Sequence, residues 1–314
     1  MHTWRFPSYR PSQFRPSFAR VLVGAGVGVA VSWAGAGERF NPATALPPLG
    51  YEAVELRRTG ENHLFLLGQV NGRRRSCLVD TGWSLATVST NTAARLNPPR
   101  VIEQLKLGRV VLTNEPVVVQ DMRVNGRPAP YDVVLGCDFL IRHHAVVDCA
   151  NNRLYLRRAA PPPTATEEFA RRLRQAGWVA LQMKRHQPLA LTCEARINGQ
   201  PVTWLVDSGA VWSCLDAKIA GSLNLRLTPS PNRIRGAGAA GQRALAVADL
   251  RQFQIGGREL RHLSVAVFSL TDWGLGADGK ALEKVGGILG GSELATLGAL
   301  IDCRELQLWL RPAD

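Results

Sequence analysis

Two carboxylates recur in matching settings along this chain. Asp80 stands in Cys77-Leu78-Val79-Asp80-Thr81-Gly82, and Asp207 in Trp204-Leu205-Val206-Asp207-Ser208-Gly209, 127 positions later. An apolar run entering an acid reads as a buried strand that delivers a carboxylate to its tip. The following Gly permits a sharp turn, and Thr or Ser can bond to nearby backbone. Two copies in matching places imply carboxylates that meet across a pseudo-two-fold axis. Acids held about 3 Å apart cannot both ionise easily, so they share one proton. The ionised member can then take a proton from water while its partner stabilises a developing oxyanion.

The elements that must position these acids are also repeated. The 127-residue register runs without a gap from Tyr51/Trp178 to Asn97/Asn224, and places Asn71-Gly72 on Asn198-Gly199. A second block matches at an offset of 154, with Val134-Leu135-Gly136 on Ile288-Leu289-Gly290 and Val147-Asp148-Cys149 on Ile301-Asp302-Cys303. Leu154-Tyr155-Leu156-Arg157 falls on Leu308-Trp309-Leu310-Arg311. The second copy therefore carries 27 additional residues between its Asp and its apolar-apolar-Gly. This is one domain twice, not a solenoid. Asn-Gly marks a hairpin before each acid. Strands are expected over Tyr51 to Arg58, Leu64 to Val70, Val110 to Leu112 and Pro116 to Val119. Short helices are expected over Thr90 to Leu96 and Phe139 to His144. A helix over Glu167 to Ala176, capped by Thr166 and stopped by Gly177, follows the proline-rich stretch Arg157 to Thr166. Its Phe169 and Leu173 give it an apolar side, for the lobe junction or for an ordinary linker helix.

Asp-Thr/Ser-Gly followed by two apolar residues and Gly resembles the signature of pepsin-type and retropepsin-type aspartic peptidases, over roughly Tyr51 to Leu310. The resemblance implies a mainly β fold of two pseudo-symmetric β-barrel lobes in one polypeptide. Residues 51–157 would form lobe one, 158–177 an inter-lobe linker and helix, and 178–314 lobe two. It further implies an aspartic endopeptidase in which Asp80 and Asp207 are catalytic and exchange acid and base roles. Thr81 and Ser208 would bond across the lobe interface, while Gly82 and Gly209 let the substrate backbone approach. The Gly-rich stretch with Gly236, Gly238 and Gly241 would be a flap in lobe two, before the strand Ala244 to Leu250. Trp83 stands where the family has Ala, as Ala210 does in lobe two; both would border the substrate. Asp148 and Asp302, each beside an expected turn, read as structural.

Composition bounds the remaining readings. Hydrophobic residues make up 46% and charged residues 20%, as in a globular protein. Arg5, Arg10, Arg15 and Arg20 precede the apolar run Val21 to Ala36, so residues 1–36 read as a signal peptide or membrane anchor. The expected site is then periplasmic or extracellular, with residues 37–50 as a linker. The net charge is +13, but the Arg residues are not interleaved with aromatics, so no nucleic acid is expected. Gly24-x-Gly26-x-Gly28 and Gly236-Ala237-Gly238-Ala239-Ala240-Gly241 lack the strand-then-helix context of nucleotide loops. Six cysteines in an exported chain permit disulfides. No zinc spacing is present, His143-His144 reads as a surface pair, and neither cofactor nor metal is expected. Two rivals stand beside the monomeric peptidase. One is an exported peptide-binding scaffold without turnover; the other is a homodimer that uses lobe two alone.

Overall fold

A short antiparallel strand pair at the centre of the molecule relates its two halves. The computed structural model describes residues 40–60, 62–124, 127–158, 165–186, 190–234, 243–260, 263–271 and 285–312. Chain order begins with helix α1 (Pro42–Ala45), then β1 (Tyr51–Glu55), β2 (Arg57–Arg58), β3 (Leu64–Val70), β4 (Arg73–Val79), β5 (Thr87–Ser89) and α2 (Thr90–Ala93). Next come β6 (Val101–Leu107), β7 (Val110–Pro116), β8 (Val118–Gln120), β9 (Arg123–Val124), β10 (Arg127–Pro128), β11 (Val133–Leu135), α3 (Cys137–Arg142), β12 (Val146–Asp148) and β13 (Arg153–Arg157). Helix α4 (Ala165–Gln175) leads to β14 (Val179–Gln182), β15 (Lys184–His186), β16 (Ala190–Ile197), β17 (Gln200–Val206), β18 (Cys214–Asp216), α5 (Ala217–Ser222), β19 (Leu227–Ile234) and β20 (Arg243–Leu250). The chain continues through β21 (Phe253–Ile255), β22 (Arg258–Leu260), β23 (Leu263–Phe268), β24 (Val285–Leu289), α6 (Gly291–Thr296), β25 (Leu300–Asp302) and β26 (Gln307–Leu310).

The fold is mainly β, with a curled sheet for each lobe and a third sheet joining them. The joining sheet runs β1-β13-β12-β25-β26-β14. At its centre Val146 faces Asp302, Val147 faces Ile301 and Asp148 faces Leu300. The repeat maps Val147 onto Ile301, so the pairing is its own image under the pseudo-two-fold. Each lobe sheet is threaded in the same way. β4 and β11 run parallel, with Leu78 beside Val134; β17 and β24 do likewise, with Leu205 beside Ile288. Apolar residues on both faces suit parallel strands buried on both sides.

The expected helix side faces the lobe junction. Phe169 and Leu173 of α4 pack with Val146, Tyr155, Leu300 and Trp309 of the joining sheet. The helix starts at Ala165, which puts Thr166 inside it rather than at its cap. Residues 40–50, read as linker, are structured: α1 is capped by Asn41, and Leu46 is fully buried under the same sheet. Pro42 at its first turn suits helix entry, and the prolines of this segment gave it the look of a linker. Strand β6 was not expected, because Glu103, Gln104 and Lys106 mask its buried Ile102, Leu105 and Leu107. The predicted helix at Thr90 is a single turn ending at Ala93, and the one near Phe139 begins earlier, at Cys137.

The 27 additional residues of lobe two include a hairpin. β19 and β20 pair antiparallel, and β20 adds to β23. In lobe one, β8 pairs with β5 as β23 does with β18, and it ends its sheet. Strand β20 thus extends lobe two where the lobe-one sheet stops. The hairpin tip, with Gly236, Gly238 and Gly241, lies outside the described residues, as do Trp273 to Gly276 and residues 1–39. Among the described residues no helix is long and apolar enough to cross a membrane.

Candidate active site

Each aspartate sits where a strand ends beside a neighbour that threads back under it. The Asp80 N–H donates to Leu135 O at 3.2 Å, and the Asp207 N–H donates to Leu289 O at 3.0 Å. Just beyond, Gly136 and Gly290 pass close under the two acid loops. A β-carbon at Gly136 would lie 2.7 Å from Leu85 O, and one at Gly290 would lie 2.5 Å from Trp212 O. Only glycine permits that approach. The loops are then locked by Cys137 N–H to Trp83 O at 2.7 Å and by Gly291 N–H to Ala210 O at 2.8 Å.

Across the interface the hydroxyls exchange bonds. Thr81 Oγ1 donates to Val206 O at 2.8 Å and accepts from the Ser208 N–H at 2.9 Å. Ser208 Oγ donates to Val79 O at 3.0 Å and accepts from the Thr81 N–H at 3.1 Å. Both side chains are fully buried, so four bonds fix one loop against the other. The carboxylates are held alike. Asp80 Oδ1 accepts from the N–H groups of Gly82 at 2.9 Å and Trp83 at 3.0 Å. Asp207 Oδ1 accepts from Gly209 at 2.8 Å and Ala210 at 2.9 Å.

The two aspartates meet, in hydrogen-bond contact with one another. A β-carbon on Gly82 would stand 2.6 Å from Asp207 Oδ1, and one on Gly209 would stand 2.5 Å from Asp80 Oδ1. Each glycine is therefore the floor of the opposite acid. Burial, the Asp207 charge and the hydrogen bond between the pair hold Asp80 well above the usual carboxylate range. Burial also raises Asp207, against the Gly209 and Ala210 N–H groups, the bond from Asp80 and the positive charge of His63. Such an arrangement can hold one proton on the pair and polarise a water between the two oxygens.

Residues 193–292 match the family model for aspartyl proteases. The match covers under half of the chain and lies in lobe two. None of the curated proteins matches. Among solved structures, a retropepsin-like aspartic protease from Rickettsia conorii is 20% identical, covering 43% of this chain and 89% of its own at a TM-score of 0.28. The aspartic proteinase from Irpex lacteus is 12% identical, covering 84% and 98% at 0.46. Basic 7S globulin from soybean is 10% identical, covering 85% and 96% at 0.46.

Around the paired aspartates the other candidates take varied places. The Trp83 indole packs on Leu78, Met122 and Val134, and its Nε1–H donates to Thr87 Oγ1 at 2.8 Å. Leu85 and Trp212, five residues past each aspartate, are both exposed. Asp148 holds Asn151, and Asp302 holds the N–H groups of Arg304 and Glu305, so both cap turns of the joining sheet. His143 is not a surface residue: it joins Glu115 at 3.0 Å and stacks near Phe139. All six cysteines are free and buried, so the disulfides that export would permit are not formed. Burial pushes five of these thiols up to about 12 and Cys303 well above its ordinary value.

Two neighbours of the dyad escaped the motif reading. Tyr131 faces Asp80 and is pushed up to about 12 by burial and that charge. His63 faces Asp207. Their repeat equivalents are Val285 and Ala190, so the signal lay in departures from the repeat rather than in its matches.

Proposed function

We propose that the protein is an aspartic endopeptidase that hydrolyses peptide bonds at a single site between Asp80 and Asp207. The mutual floor of Gly82 and Gly209, which forces the two carboxyls together, carries this reading. The aspartyl protease match of lobe two and the two-lobed β fold support a peptidase-type function. In the proposed reaction, the ionised carboxylate takes a proton from water as its oxygen attacks the carbonyl carbon. The protonated carboxyl gives its proton to the carbonyl oxygen, which yields a tetrahedral diol. Proton transfer to nitrogen then breaks the C–N bond, and the dyad returns with one proton. Neutral, buried thiols make a cysteine nucleophile a poor alternative.

Hairpin β19–β20 would close over an extended substrate, with Gly236, Gly238 and Gly241 at its tip. Exposed Leu85 and Trp212 would favour apolar side chains on either side of the cleaved bond. The resident state would be a monomer, since one chain supplies both acids. Export, through cleavage or retention of residues 1–36, rests on the Arg-then-apolar leader alone.

A mixed peptide library, read by mass spectrometry from pH 3 to pH 8, tests this function. Cleavage between apolar residues, in acid, is the expected result. No cleavage by folded protein across that range would leave a peptide-binding scaffold as the better reading.

A further inference from the structure

The lobe-one sheet ends on an edge that lobe two covers. Thr87 pairs with Val118 and Val88 with Val119, as Cys214 pairs with Ala266 and Leu215 with Val267. The Val118 N–H donates to Ala86 O at 2.8 Å, as the Ala266 N–H donates to Ser213 O at 3.2 Å. Ala86 and Ser213 are equivalent in the repeat, so β8 and β23 hold the same place in their lobes. In lobe two that place has an outer neighbour. Strand β20 runs antiparallel to β23, with Ala246 opposite Val267 and Val247 opposite Ala266. There Ala266 and Val267 are 8% and 3% exposed, whereas Val118 and Val119 are 37% and 38% exposed.

Lobe one does not extend its own chain to cover this edge. β20 leads into β21, which pairs with β16 as β6 pairs with β3. The stretch before β6 is Asn97-Pro98-Pro99-Arg100, and two adjacent prolines have no N–H with which to carry a ladder backward. The polar groups of the edge are set outward. Successive N–H groups of a strand point to opposite sides, so with the Val118 N–H turned to β5 the Val119 N–H and C=O face away from it. Among the described residues no strand pairs with β8 on that side. Val118–Gln120 carries neither charge nor proline, the usual guards of an open edge. The edge also adjoins the dyad. Ala86, which holds Val118, follows exposed Leu85, and Met122, two residues past β8, packs with Leu78 and against Trp83.

We propose that the outer edge of β8 is a second binding site, which takes an extended apolar stretch of the substrate polypeptide away from the bond to be cleaved. The repeat supplies the chemistry of the occupant. On the equivalent edge it is an antiparallel strand with Val and Ala opposite the two exposed positions. Bonds to the Val119 N–H and C=O give affinity for any extended chain, and the apolar surface of Val118 and Val119 selects small or β-branched side chains. That the occupant belongs to the substrate rests on the peptidase reading above; that the edge takes a strand does not.

The probe is a free peptide with the sequence of residues 243–250, titrated into the folded protein and followed by backbone amide NMR. Shifts are expected at Val118, Val119 and Gln120. Val119→Pro removes the outward N–H and leaves the bonds to β5 in place, which an edge strand tolerates. It should weaken the peptide on the order of tenfold. Val119→Lys, which puts a charge on the edge and keeps every backbone group, repeats the test should the proline variant not fold. Joining the same sequence through a flexible linker to a cleavable peptide should lower KM. That gain should vanish in Val119→Pro, with turnover of the cleavable peptide alone unchanged. No shift at β8, or equal affinity in wild type and variants, would overturn the edge site. So would a wild-type dimer that the variants return to monomer, since the edge would then belong to a second copy. Binding and cleavage without the lower KM would overturn the substrate as occupant. Shifts at β8 with no peptide cleaved would remove the peptidase reading and leave the strand site standing.

Discussion

Replacing Gly209 with alanine would drive a methyl carbon to 2.5 Å from Asp80 Oδ1, inside any tolerable contact. The carboxyl must move, and a dyad displaced by even an ångström loses its shared water. Gly209→Ala and Gly82→Ala should each lower kcat at least ~100-fold while circular dichroism stays near that of the wild type. Ser208→Ala breaks a different link. It removes a buried donor to Val79 O and an acceptor for the Thr81 N–H, leaving both groups unpaired. A destabilisation of about 1–3 kcal/mol in urea unfolding is expected. The pH profile belongs to this scale too. The proposed reaction needs one proton on the pair before the carbonyl is attacked, and burial, the Asp207 charge and the bond between the two hold Asp80 well above the ordinary carboxylate range. The alkaline limb of kcat/KM should therefore lie well above pH 4, measured on any cleaved peptide. Both acids and their Thr, Ser and Gly companions were legible in the sequence, because backbone geometry demands those residue types at those steps. His63 and Tyr131 were not, because tertiary approach alone makes them neighbours of the dyad.

The joining sheet stores a different acid–base property. Asp302 caps the turn between β25 and β26 from a buried position, and burial raises it to about 6. In the native state it keeps a proton that the unfolded chain has lost, between its ordinary value of 3.8 and about 6. Stability from this group is thus fully present below the lower value and is lost as pH rises through the upper one. Asp302→Asn keeps an acceptor for both N–H groups and carries no charge. Its melting temperature should exceed the wild type's at pH 7, by an amount worth up to about 3 kcal/mol, and match it near pH 4. A lower melting temperature at pH 7 would show that the charge helps the turn. Element by element, the repeat revealed the strands that carry the acids and those of the joining sheet. It did not reveal β6, where polar residues interrupt the apolar pattern. Nor did it reveal the fold of residues 40–50, whose prolines read as a linker although Leu46 is fully buried.

At the scale of the whole molecule, the pairing of β12 with β25 makes two lobes into one body with one site. That pairing is intramolecular and maps onto itself under the repeat, much as identical subunits meet across a two-fold axis. Gene-level duplication leaves such a trace in sequence, so the two-lobed plan could be read from the two offsets. The asymmetry was legible as 27 surplus residues with a Gly-rich stretch before the strand Ala244 to Leu250; the structure shows them to include hairpin β19–β20, extending lobe two. A site shared by two lobes of one chain requires both aspartates, whereas a site built from two copies of lobe two would ignore Asp80. The decisive measurement is peptide cleavage by protein beginning at Glu38, comparing wild type with Asp80→Asn and Asp207→Asn across pH 3 to pH 8, with mass in solution recorded for each. Cleavage by a monomer of wild type, lost in both variants, is the predicted result. Cleavage retained by Asp80→Asn would contradict it.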